Sequence, residues 1–135
     1  IRAAMLRAAV DGVLAGAVGG TTSAISDEAI SALEADMPMQ AVRGLVRTFR
    51  DEQGRHVAAL PGLLARGELE HVVRAAHSVK GAAKLFGAEV LAERAFTVER
   101  SARAGANPRL AEEIAALDGS FRDVDKALHA RFGSV

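Results

Sequence analysis

Apolar side chains recur along this chain at helical intervals, most clearly near its end. Leu110, Ile114, Leu117, Phe121, Val124 and Leu128 alternate in spacings of four and three, the stripe of a helix with one buried face. Asn107-Pro108 before it reads as a cap followed by proline at the first helical position. Leu91, Ala95, Val98 and Ala102 repeat the pattern over about residues 88–103, with Gly105 as the stop. Val72, Ala76, Val79, Ala83 and Phe86 repeat it again between Gly67 and Gly87, with Glu68 and Glu70 suited to the first turn. A longer stripe of Val42, Leu45, Phe49, His56 or Val57, Leu60 and Leu64 follows Pro38, with Arg43, Arg47, Arg50, Asp51 and Glu52 on its wet side. Pro61 removes a helical hydrogen bond and clashes with the preceding turn, so a kink or break is expected near residues 58–60.

A short helix precedes these. Ser26 is its expected N-cap, Asp27 and Glu28 occupy its first turn, and Ile25 and Ile30 are spaced as a hydrophobic staple, so the helix should run to about residue 35. No strand-forming run stands apart from a helical pattern, which predicts an all-α protein. Short connections imply antiparallel neighbours, hence an antiparallel four-helix bundle with the short additional N-terminal helix laid across one end.

Composition narrows the chemistry. The 135 residues, half of them apolar, suffice for a single buried core. Seventeen basic and seventeen acidic side chains cancel, so no general attraction to nucleic acid or an anionic membrane is expected. Five phenylalanines and no tryptophan or tyrosine leave little for stacking bases. The absence of cysteine removes disulfides and thiolate chemistry and suits a cytoplasmic location. Residues 1–17 have an amphipathic pattern too short and too charged to span a bilayer, and Asp11 interrupts the apolar run that a secretory leader needs. With Gly19-Gly20-Thr21-Thr22 as a joint, residues 1–24 read as an extension or linker, and residues 25–135 as the domain.

The candidate chemistry lies in the stretch from Ala76 to Gly87. On a helix, His77 falls opposite the core stripe, in company with Val73, Lys80, Gly81 and Lys84. Lys80 and Lys84 are two of only three lysines in the chain and stand one and two turns beyond the imidazole. Gly81 costs an exposed helix roughly 1 kcal/mol relative to alanine, which implies a local gain from the missing side chain. An accessible imidazole beside ammonium groups is what a phosphoryl-carrying histidine needs.

His77-Ser78-Val79-Lys80-Gly81, followed by Gly87, Leu91 and Glu99, resembles the pattern of the histidine phosphotransfer (HPt) domain family: His-x-Leu-Lys-Gly, a later glycine and leucine, and a glutamate in the next helix. Val79 replaces the leucine and keeps an apolar residue there, whereas Pro61 departs from the single long helix usual at its place in the family. The resemblance covers roughly residue 25 onward. It implies a carrier in a multistep two-component phosphorelay: His77 takes a phosphoryl group from a receiver-domain aspartate through Nε2 and passes it to another. Lys80 and Lys84 would stabilise the phosphoryl oxygens, and Gly81 would give steric access. The chain itself would bind no cofactor, Mg²⁺ being supplied by the partner receiver. Partners would be response-regulator receivers or a hybrid histidine kinase. Docking is expected around Val73, Lys84 and Leu85 and on exposed positions of the neighbouring second helix. Nothing in the chain suits ATP binding, so no independent kinase activity is expected. The alternative is a non-catalytic module that binds a receiver or kinase.

Other residues read as structural. His71 lies about 120° around the helix from His77, and His56 and His129 have no partners at ligand spacing, so no metal site is expected. Glu99 and Arg103, at i and i+4, read as a surface ion pair worth a few tenths of a kcal/mol.

Overall fold

A computed structural model describes residues 24–105 and 107–133. The helix and glycine joint expected within residues 1–22 lie outside them. The described elements are α1 (Asp27–Asp36), α2 (Met39–Ala65), α3 (Leu69–Leu85), α4 (Glu89–Ala104) and α5 (Leu110–Phe132). α2 packs on α3, α3 on α4, α4 on α5 and α5 back on α2, closing a four-helix ring around one core. Pairings such as Arg43 with the Phe132 carbonyl and Arg50 with Asp125 run in opposite senses along α2 and α5, as antiparallel neighbours require. No helix among the described residues is long and apolar enough to cross a membrane.

Local chemistry accounts for the boundaries. Ser26 Oγ accepts the Ala29 N–H at 3.2 Å, and Ile25 and Ile30 on either side of this cap are both buried. α3 ends in a Schellman motif, with the Gly87 N–H donating to the Lys84 carbonyl at 3.1 Å and the Ala88 N–H to the Ala83 carbonyl at 3.0 Å. Gly87 adopts φ +64°, and a Cβ there would collide with Ser26 Cβ, so glycine is required twice over. The Ser26 N–H donates to the Phe86 carbonyl at 2.9 Å, which fastens the start of α1 to the end of α3, and Arg131 reaches Asp27 and Glu34 from α5. α1 thus lies over the end of the bundle where α3 and α5 finish. At the start of α5, Asn107 Oδ1 accepts the Arg109 N–H at 2.8 Å; the helix begins at Leu110, two residues later than proline at the first helical position would have it.

The core stripes emerge as expected, with three corrections. α2 does not break at Pro61; helical residues continue to Ala65. The proline is exposed at an open groove and forgoes one amide bond, while Val57 and Leu60 beside it are buried. Beyond it the Arg66 N–H bonds the Gly62 carbonyl and the Glu68 N–H the Leu63 carbonyl, so the last turn is closed without the missing donor. Arg43 and Arg50 do not stay on a wet face but reach α5, at 2.6 Å from the Phe132 carbonyl and 2.6 Å from Asp125 Oδ1. The third correction concerns Glu99, which is buried.

Candidate functional site

α3 sets its core face with Val72, Ala76, Val79, Ala83 and Phe86, all fully buried. That choice turns His77 outward, with its side chain 64% exposed. The ring does not stand over the middle of α3's open face but leans toward α4. There its Nδ1 lies 3.1 Å from Glu99 Oε2.

Glu99 makes this contact because it occupies a core position of α4, four residues after Ala95 and three before Ala102, both buried. Its carboxylate meets three nitrogen groups at the α3–α4 seam. Arg103 Nη2 donates to Oε2 at 2.8 Å, the Lys80 ammonium sits 2.9 Å from Oε1, and the His77 ring approaches Oε2. The Arg103 guanidinium above all, then Lys80, with a smaller contribution from His77, hold the Glu99 carboxyl down at about 2 against the opposing effect of burial. Glu99 is therefore ionised at neutral pH and can only accept, so the contact places the His77 proton on Nδ1. In the neutral ring, Nε2 then carries the free lone pair. The surface ion pair expected for Glu99 and Arg103 is instead the visible edge of a buried clamp.

The other expected site residues divide into two groups. Lys80 is drawn into the seam, with its side chain only 20% exposed and its ammonium committed to Glu99. Lys84 is exposed two turns beyond His77 and has no ion pair among the described residues. Gly81 lies on the open face, and a Cβ added there would meet nothing within 4 Å, so the fold itself does not demand glycine at this position. Val73 is half-buried against the core, in a groove it shares with Leu69, Arg74, Ala102 and Arg103, whereas Leu85 is exposed. On the α2 side of α3 the contact is structural: Ser78 Oγ donates to Oε1 of the buried Gln53 at 3.3 Å.

Of two residues at the seam, the sequence reading gives Glu99 a place in the family pattern and in a surface pair but not in the core, and does not single out Phe96. Glu99 had a usable signal, since it continues the spacing of Ala92, Ala95 and Ala102. Phe96 stands off the stripe of Leu91, Ala95, Val98 and Ala102, and the structure leaves it exposed beside Lys80.

Comparison with known proteins bears on the family and the fold. The family model described as Hpt domain matches residues 44–128, which include α3, α4 and most of α2 and α5. Among solved structures the chain is similar to histidine-containing phosphotransfer protein B (HptB) from Pseudomonas aeruginosa PAO1, at 24% identity and a TM-score of 0.76, over 82% of this chain and 96% of that one. No curated protein matches it. With the family match spanning most of the four-helix ring, the chain belongs to the Hpt domain family, the histidine phosphotransfer modules that work with receiver domains and kinases in phosphorelays.

Proposed function

We propose that His77 is the phosphoryl carrier of this domain, shuttling the group between receiver-domain aspartates. The observation that carries the reading is the Nδ1 contact with the ionised Glu99, which leaves Nε2 as an exposed nucleophile. The Nε2 lone pair attacks the phosphorus of an aspartyl phosphate. The bond between phosphorus and the carboxylate oxygen breaks, and the aspartate leaves with that electron pair. Because Nε2 bears no proton in this tautomer, none has to be removed before attack. The positive charge that develops on the ring faces the Glu99 carboxylate, and transfer onward to a second aspartate is the same step reversed.

Within this mechanism Glu99 is a positioning residue and Lys80 helps to hold it. Lys84 is the exposed ammonium free to meet phosphoryl oxygens, and open space at Gly81 lets the partner's active-site loops approach the ring. Mg²⁺ would be held by the receiver's own carboxylates and would neutralise charge on the transferring group. The partners are response-regulator receivers, alone or within a hybrid kinase.

The test is phosphoryl transfer from ³²P-charged receivers to the purified chain, beside His77→Ala. The expected result is an acid-labile, base-stable label that falls to background in the variant, with thermal stability nearly unchanged because the ring is exposed. Label retained by His77→Ala, or none on the wild type from any receiver that binds it, would overturn the assignment.

A further inference from the structure

Four of the chain's five phenylalanines are buried or half-buried in the bundle, whereas Phe96 is 45% exposed on α4. Its ring is framed by cations, with Lys80 Nζ 5.2 Å and the Arg100 guanidinium 5.5 Å from its centroid. Lys80 is also the link to the candidate site. The same ammonium that lies against the ring lies 2.9 Å from Glu99 Oε1, and Glu99 holds the His77 Nδ1. Phe96 is thus separated from the histidine's clamp by one side chain, on the side of α3 toward which the imidazole leans. Arg100 forms no ion pair among the described residues and Lys80 is shared with Glu99, whereas Lys84 lines a groove with Glu89 and Glu93 toward the start of α4, so the cations lie against the ring and the open carboxylates stand a turn or more away from it.

We infer that Phe96 is an apolar anchor of the receiver footprint, so that a receiver seated over His77 reaches across the α3–α4 seam onto α4. The inference rests on the proposed role of His77. The occupant it commits to is the acidic face of a receiver, where the phosphorylated aspartate stands among metal-binding carboxylates. An exposed aromatic ring with the unpaired Arg100 guanidinium against it, one side chain from the His77 clamp, is complementary to an apolar contact beside such carboxylates. The other large apolar side chain exposed on α4, Val90, lies about 120° around the helix and roughly 9 Å along it, away from the seam.

The experiment compares the full chain with Phe96→Ala, Phe96→Glu and Val90→Glu. It reads the KM for transfer from a charged receiver, phosphorylation of His77 by phosphoramidate, and sedimentation. The expected result is a KM raised about tenfold by Phe96→Ala and further by Phe96→Glu. Phosphoramidate, which needs no docking, should label His77 at the wild-type rate in both, and Val90→Glu should behave as wild type. A KM unchanged by both Phe96 variants while the wild type accepts phosphate would overturn this inference and leave the role of His77 standing. A wild-type dimer that Phe96→Glu converts to monomer would overturn it as well, because the ring would then be covered by a second copy. Failure of every receiver to label the wild type would overturn both.

Discussion

The α2–α5 seam and the α3–α4 seam lie on opposite sides of the same core, and each is crossed by charge. On the first, Arg50 Nε meets Asp125 Oδ1 at 2.6 Å, one cation to one carboxylate, both partly exposed, above the stacked rings of Phe49 and Phe121. On the second, a single buried carboxylate receives Arg103, Lys80 and the His77 ring. A one-to-one pair at the surface is satisfied and closed to further chemistry. A buried acid with two permanent cations is held ionised whatever the imidazole does, so the proposed transfer through His77 could change the ring's charge without unbalancing the fold. Similar residue types thus fasten helices on one side of the bundle and, on the other, hold the ring of the histidine proposed as the carrier.

The comparison fails if Glu99 is merely another fastener. Glu99→Gln should lower the rate of transfer at least tenfold, because the Gln amide can donate to Nδ1 and move the ring proton to Nε2, where it blocks attack. Single-turnover transfer measured beside circular dichroism separates this from unfolding; a folded variant that transfers at the wild-type rate would sink the positioning role. The same residue has a signature in acid. Its carboxyl is held at about 2, against an ordinary value of 4.5, so the stability it confers is complete above about 4.5 and disappears as pH falls toward 2. The difference corresponds to about 3 kcal/mol, and the acid limb of the wild-type stability curve should be shallower in Glu99→Gln.

The opposite seam supplies the contrast. Asp125→Asn should cost about 1 kcal/mol or less and leave transfer untouched, since it removes one side of a partly exposed pair far from His77. Denaturant unfolding and the transfer assay together check it; a fall in transfer would show that the two seams are coupled through the core.

Which parts of this were legible in the chain follows from what periodicity can carry. Residues that face the core do so at fixed spacings, so the stripes of α3, α4 and α5 and the caps at Ser26 and Gly87 could be read directly, and the His77 motif joined them to a family. Glu99 was misread because an i, i+4 pair with Arg103 matches a solvated face as well as a buried clamp, and only its register with Ala95 and Ala102 separates the two. The fate of Pro61 depended on burial of Val57 and Leu60 around it, which no local rule supplies. Phe96 could be placed off the core stripe, but its neighbour Lys80 belongs to another helix.

The smallest substitution, a single methyl group at Gly81, tests the open face between the seam and the partner. Gly81 has no positive φ and no neighbour that a Cβ would strike, unlike Gly87 six residues later, where both constraints apply. Gly81→Ala should therefore stabilise the domain by roughly 0.5–1 kcal/mol, the ordinary gain at an exposed helical position. If the gap serves the approach of a receiver, the same substitution should slow transfer a few-fold, and Gly81→Arg should block it with helix content intact. A more stable Gly81→Ala domain with undiminished transfer, together with normal transfer by Gly81→Arg, would mean that the partner never comes close to this turn and that access to Nε2 is gained wholly from the α4 side. A gain in stability accompanied by a loss in transfer would show the glycine to be kept for the partner, since nothing inside the bundle requires it.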